Sequence, residues 1–271
     1  MEVKMFEGQT AVITGGASGI GLGIGRALGR LGTTVVLADL DAEALNGRVG
    51  ELSGEGITAH GRVTDVTDVE SVAGLADFVE RELGGCNLLF NNAGVAVFGP
   101  FVSATIADWD FTMGVNFEGV VNGLRAFVPA MTRRGSGHIV NTASMSGLIG
   151  MENLSVYCAS KFAVVGLSES LRRELAPHGI GVTVLCPMVV DTPISDNSLR
   201  MRPVDLRNSE PPPDVTANLV GGVVTVEDVA DMVVDAILHN QPYVLTHAEQ
   251  APILHRRAAR LSEAADRVTG R

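Results

Sequence analysis

The sequence predicts an α/β domain, a doubly wound parallel sheet of about seven strands with helices on both faces. Three observations carry that reading. Short runs such as "TAVIT" (10–14), "TTVVLAD" (33–39) and "GVTVLCP" (181–187) are apolar almost throughout, as strands buried on both faces are. Segments with helical spacing separate them, the alternation that lays strands parallel with crossover helices between them. No linker divides the 271 residues, so residues 1–271 read as one domain, a size one large core accommodates.

The elements follow in order. After strand 10–14 comes a glycine-rich turn at 15–21, then a helix over 20–31 with Leu22, Ala27, Leu28 and Leu31 on its apolar face. Strand 33–39 leads to a helix at 42–53 and a weaker strand at 57–63. A helix runs from Asp68, whose side chain suits a cap, to Leu83. "NLLFNNAG" (87–94) is a strand entering a turn. A long helical region over 105–131 precedes strand 137–144, helix 156–176 and strand 181–187. Helix 226–238 and strand 243–247 complete the alternation. The stretch 191–222 has no clean periodicity and contains three consecutive prolines; a long irregular segment in a compact domain reads as a lid or binding loop. Residues 249–268 read as an amphipathic helical extension with Ile253, Leu254, Leu261 and Val268 as its stripe.

Composition narrows the function. The hydrophobic content of 46% supports a sizeable core, mostly Val, Leu, Ile and Ala because aromatics are only 4%. A net charge of -11 disfavours nucleic acid and anionic membrane as partners. No apolar run is long enough to span a membrane, and "MEVKMFEGQTAVITGG" lacks an apolar signal region. Cys86, Cys158 and Cys186 are scattered and odd in number, which points to a reducing, cytoplasmic setting without disulfides. Neither they nor the histidines show metal-ligand spacing, so no metal is expected.

The first strand ends in "TGGASGIG" (14–21). Gly15, Gly19 and Gly21 form a GxxxGxG turn opening a helix, the arrangement in which backbone N–H groups and a helix N-terminus accept a pyrophosphate. Ser18 and Ile20 belong to the same turn. Asp39 ends the second strand, 24 positions after Gly15, near the spacing of a carboxylate that binds the adenosine ribose. Such a carboxylate repels a 2′-phosphate. No Arg or Lys adjoins it in sequence or lies in the turn, so NAD is the expected cofactor. The competing reading makes Asp39 a cap of the following helix.

With "NNAG" (91–94), Asn116, Ser144 and the Tyr157/Lys161 pair, these motifs make the chain resemble the short-chain dehydrogenase/reductase family over nearly its whole length. The resemblance implies a Rossmann-like fold and a catalytic set of Asn116, Ser144, Tyr157 and Lys161. Ser144 precedes Tyr157 by 13 positions, as the family pattern requires, which selects it over Ser146. Tyr157 and Lys161 stand four apart on one helix and share a face. A nearby ammonium favours the phenolate, so Tyr157 is expected to titrate lower and act as general base or acid. Lys161 also binds the nicotinamide ribose in the family, and Asn116 holds a water of its proton relay. Asp65 and Val66 resemble the family's adenine contacts. Asn91, Asn92, Ala93 and Gly94 fall in the motif that lines the adenosine side and stabilises the sheet. "CPMVVDT" resembles the family's Pro-Gly motif, with Pro187, Val190 and Thr192 at the nicotinamide; Met188 stands where glycine is usual.

By the same analogy Met145, Met151, Leu154 and Met188 join Ser144 and Tyr157 around the substrate, with Glu152 and Asn153 as polar points. A mostly apolar pocket suits a hydrophobic secondary alcohol or ketone, cyclic, aryl or steroid-like. Arg200, Arg202 and Arg207 read as solvated surface. The family is commonly tetrameric, so a homo-oligomer, tetramer or dimer, is expected. The alternatives are an NADP-dependent ketoreductase and a non-catalytic dinucleotide-binding sensor.

Overall fold

The structure, a computed structural model, describes residues 2–202 and 222–269. Its strands are β1 (Thr10–Thr14), β2 (Thr34–Asp39), β3 (Ala59–Val63), β4 (Leu88–Asn91), β5 (Gly137–Thr142), β6 (Ile180–Cys186) and β7 (Tyr243–Leu245). They pair in parallel in the order β3-β2-β1-β4-β5-β6-β7. The chain winds outward from β1 through β3, then restarts on the other side of β1 with β4. That reversal is the switch point at which open α/β sheets form their crevice.

Alternation along each strand sorts side chains into two layers. Ile13, Leu37 and Phe90 pack on one face with Ile24 and Leu28 of α1 (Gly19–Arg30) and Val229 and Val233 of α8 (Val226–Leu238). Val12, Val36 and Leu89 pack on the other with Leu75 and Val79 of α3 (Val69–Leu83), Phe127 of α5 (Gly119–Arg134) and Val164 of α6 (Ser155–Leu175). Both faces are covered, which is why these strands read as continuous apolar runs. The remaining helices are α2 (Ala42–Gly54), α4 (Ile106–Met113), α7 (Ile194–Met201) and α9 (Gln250–Thr269). Asp68 caps α3 as expected, accepting from Glu70 N at 3.0 Å.

The helical region expected over 105–131 is present as α4 and α5, continuous through a π-helical turn, Gly114–Glu118. One expectation needs correction. The stretch 191–222 is irregular in sequence, yet it contains α7; the only buried residue of α7 is Ser198, so hydropathy carried no signal of it. The triple proline and Arg207 lie outside the described residues. The helical extension expected over 249–268 is α9, on which Ile253 and Leu254 are half-buried and Leu261 and Val268 are 57% and 87% exposed. Among the described residues no helix is long and apolar enough to cross a membrane.

Candidate active site

The carboxyl ends of the central strands open on one elongated cavity of about 780 Å³. At its β1 end the chain turns through Gly15 (φ +63°) and Gly19 (φ +50°), conformations that favour glycine. The turn is packed backbone to backbone. A Cβ on Gly15 lies 2.9 Å from Ala93 Cα, and one on Gly21 lies 2.4 Å from Gly15 O. The "NNAG" turn after β4 holds this arrangement: Asn92 Nδ2 donates to Thr14 O at 3.1 Å, and Thr14 Oγ1 accepts from Asn92 N and Ala93 N. Ser18 stands at the N-cap of α1 without a side-chain cap bond, and the first turn of α1 carries no acid. A glycine cradle ending in an uncapped helix N-terminus fits a pyrophosphate.

Asp39 lines the same cavity. Its Oδ2 accepts from Ala17 N at 3.1 Å and its Oδ1 from Asp41 N at 3.3 Å. The cap of α2 is instead Asp41, which accepts from Ala44 N, so Asp39 is not spent on that helix. Asp65 and Val66 line the same cavity together with Asn92, Ala93 and Gly94. Asp65 also closes a turn on Thr67, through both its N and Oγ1. Asn91 does not line the cavity: it is buried in the sheet and donates to Asn141 Oδ1 at 2.9 Å.

Ser144 follows β5 and Tyr157 and Lys161 stand on α6; all three face the cavity. Ser144 Oγ accepts from Ser146 N at 3.1 Å. Lys161 is 3% exposed, and its Nζ donates to Thr142 O at 2.9 Å while lying 5.7 Å from the Tyr157 ring centre. Burial pushes Lys161 down to about 8. Burial also pushes the Tyr157 hydroxyl up, to about 12, against a hydrogen bond from Ser144 that lowers it. The expected depression of Tyr157 is therefore not found in the protein alone: crowding of its hydroxyl outweighs its neighbours, and the Lys161 ammonium points at the Thr142 carbonyl.

Asn116 occupies the π-helical turn and is fully buried. Its Oδ1 accepts from Val95 N at 2.8 Å, and its Nδ2 donates to Val95 O at 2.9 Å and Ser160 Oγ at 3.0 Å. It therefore ties the loop after β4 to α6. A Cβ on Gly94 lies 3.3 Å from Asn116 Oδ1 and 3.4 Å from Lys161 Nζ, so both groups abut Gly94. Asn116→Ala leaves buried backbone groups unpaired and is expected to cost about 2–4 kcal/mol, read as a lower midpoint in denaturant unfolding.

Pro187, Met188, Val190 and Thr192 line the cavity after β6, as do Ile20 from α1 and Met145, Met151 and Leu154 around the opening. Glu152 and Asn153 are not in the lining; Asn153 takes a positive φ of 60° in the adjacent turn. The segment after β7 braces the loop bearing Met188. Gln250 Nε2 donates to Cys186 O at 3.0 Å, Met188 N to Thr246 Oγ1 at 3.2 Å, and Thr246 Oγ1 meets His247 Nδ1 at 2.7 Å. Helix α7 closes one side: Ser198 Oγ accepts from Ala96 N at 2.8 Å, and Arg202 pairs with the buried Asp108 at 2.5 Å.

Sequence reasoning missed Arg202, which is 13% exposed along its side chain rather than surface. It missed Phe98, which lines the cavity, and Arg48. It also missed Thr246, His247 and Gln250. The one signal for these was polar residues at a strand end, which turns supply everywhere.

A family model described as short chain dehydrogenase matches residues 9–203. Over 203 residues the chain is 45% identical to a C alpha-dehydrogenase from Sphingobium sp. (strain NBRC 103272 / SYK-6); the match takes in 74% of this chain and 66% of that relative's length. A short chain dehydrogenase/reductase from Burkholderia phymatum, solved in complex with NAD, is 36% identical over 96% of both chains with a TM-score of 0.89. A metagenomic short-chain oxidoreductase solved in complex with NADP is 32% identical over 89% of this chain and 96% of its own, with a TM-score of 0.72. The sheet order, the glycine-rich turn and these matches agree: the chain belongs to the short-chain dehydrogenase/reductase family.

Proposed function

We propose that this protein is an NAD-dependent dehydrogenase that oxidises a hydrophobic secondary alcohol to its ketone, and runs the reverse reduction. The observation that carries the reading is that Ser144, Tyr157 and Lys161 line the same cavity as the glycine cradle and Asp39. The bound nicotinamide supplies the hydride acceptor, or the donor in the reverse direction. Gly15, Gly19 and Gly21 admit the pyrophosphate, Asp39 takes the ribose hydroxyls, and Asp65, Val66, Ala93 and Gly94 shape the adenosine side.

Ser144 donates to the substrate oxygen and orients it. Tyr157 takes the hydroxyl proton in oxidation and returns it in reduction. Lys161 holds the cofactor's second ribose and stabilises the phenolate that forms at Tyr157 Oη. Asn116 fixes the loop against which Lys161 lies and, in the family's manner, stands on the proton's way out. Pro187, Val190 and Thr192 border the nicotinamide. The substrate end is walled by Met145, Met151, Leu154 and Met188, flexible apolar side chains that suit a bulky hydrocarbon skeleton. The same proposal takes the chain as one domain closed by α7, acting as a homo-oligomer; the exposed stripe of α9 supports the latter.

The test is absorbance of NADH formed from NAD+ with a panel of cyclic, aryl and steroid-like secondary alcohols, alongside polyols. Turnover confined to the apolar members is expected. Turnover confined to polyols contradicts the substrate class, and turnover with NADP+ alone contradicts the cofactor.

A further inference from the structure

Gln250 opens α9 and is completely buried. Its amide brings one acceptor oxygen and two N–H donors into the core, a cost that only their bonds offset. All three find partners. Oε1 accepts from His247 N at 2.9 Å, and Nε2 donates to Cys186 O at 3.0 Å and to Met145 Sδ at 3.2 Å. A flipped amide would set its carbonyl against Cys186 O and its NH2 against an N–H, so the partners fix which way the side chain stands.

The partners lie at the substrate end of the cavity. Met145 directly follows Ser144, and Cys186 precedes Pro187 and Met188. The two segments are bonded to each other, Ala143 N to Leu185 O and Met145 N to Pro187 O, both at 2.8 Å. Gln250 adds one bond to the backbone of the second and one to the thioether of the first. Methionine has three rotatable bonds and adapts its shape readily; a sulfur bonded to a fixed, buried amide is held to one shape. Thr246 and His247, also buried, carry the brace further. Gly222 O can only accept, so His247 Nε2, 2.9 Å away, bears a proton. In the neutral ring Nδ1 then accepts from the Thr246 hydroxyl at 2.7 Å, and Thr246 Oγ1 keeps a lone pair for Met188 N at 3.2 Å. The donors run in one direction, from Met188 to Gly222.

We infer that Gln250 is a positioning residue that sets substrate selectivity: it acts through Met145 and the Cys186 backbone to hold the substrate wall in one shape, while Thr246 and His247 extend the clamp from Met188 to Gly222. The inference rests on the dehydrogenase reading above. A wall held in place orients a bulky alcohol that touches it, and matters little to one too small to reach it. Gln250 itself touches neither the reacting atoms nor the cavity lining; its effect passes through the two segments it ties.

The experiment compares the full chain with Gln250→Leu, which keeps the bulk and deletes all three bonds. Thr246→Val, which deletes a single hydroxyl, takes its place should Gln250→Leu not fold. The first readout is the ratio of kcat/KM for the bulkiest alcohol turned over to that for isopropanol. It is expected to fall about tenfold. A merely structural defect lowers the amount of active protein, scales both substrates alike and leaves the ratio unmoved. In a Met145→Leu background, which lacks the sulfur, Gln250→Leu should cost the ratio less than in wild type. The second readout needs no substrate: hydrogen exchange of the 186–190 backbone by mass spectrometry, with NADH titration alongside. Exchange there should quicken about tenfold, with NADH affinity changed far less. An unmoved ratio overturns the inference, as does an equal cost in the Met145→Leu background, or exchange at 186–190 that stays as in wild type. Wild type turning over no alcohol defeats the dehydrogenase reading by itself; the clamp by Gln250 is then decided by the exchange measurement.

Discussion

Tyr157→Phe is expected to lower kcat/KM about a thousandfold, with NADH affinity changed far less. Phenylalanine keeps the ring, and with it the packing beside Lys161, and deletes only the hydroxyl that moves the proton. The loss should appear in kcat, because the group acts on the reacting oxygen and contributes little to holding the cofactor. The pH profile separates this from a packing defect. With the Tyr157 hydroxyl pushed up to about 12 and Lys161 down to about 8 in the protein alone, the phenolate is the scarce form at neutral pH. Oxidation, which needs the base, should rise with pH while Lys161 keeps its charge, below about 8. Reduction needs the protonated form and should stay level over that range. Tyr157→Phe should flatten the oxidative rise. A variant whose residual activity keeps that rise assigns the titration to another group.

Gly21→Ala is expected to cost about a hundredfold in kcat/KM. Its methyl lies 2.4 Å from Gly15 O and 2.7 Å from Asn92 Nδ2. The first of these is backbone, so the turn that receives the pyrophosphate has to open. The result should be weaker NADH binding in titration, with the far-ultraviolet dichroism of the helices preserved. Gly47→Ala is the matched contrast. An added Cβ there meets nothing within 4 Å, in the interior of α2, where alanine favours the helix by up to about 1 kcal/mol. Equal losses in the two variants contradict the assignment of the cradle.

Particular residues show how far the sequence carried this structure. The apolar runs at β1, β2, β4, β5 and β6 were legible because each is buried on both faces, which makes hydropathy a direct report of the sheet. The cavity-lining positions were legible because glycine, Asp39, Ser144, Tyr157 and Lys161 stand at motif spacings tied to strand ends. Helix α7 was not legible, since its buried contact is a serine hydroxyl bonded to Ala96 N. Arg48 was not, because adjacency in sequence says nothing of a side chain that α2 carries back to Ala17. Arg202 was taken for surface because its partner Asp108 lies 94 positions away. The elevation of Tyr157 was missed for a related reason: proximity of Lys161 on the helix is a sequence fact, while crowding of the hydroxyl is a property of the fold.

The central claim is that this cavity moves hydride between an alcohol carbon and NAD with Tyr157 moving the proton. It is tested most directly with the best alcohol of the panel, deuterated at its carbinol carbon, by measuring the mass of the NADH that forms. Wild type should yield singly deuterated NADH in step with ketone, and Tyr157→Phe should yield it at about a thousandth of that rate. Unlabelled NADH, or label transfer that Tyr157→Phe leaves at full rate, would contradict the account.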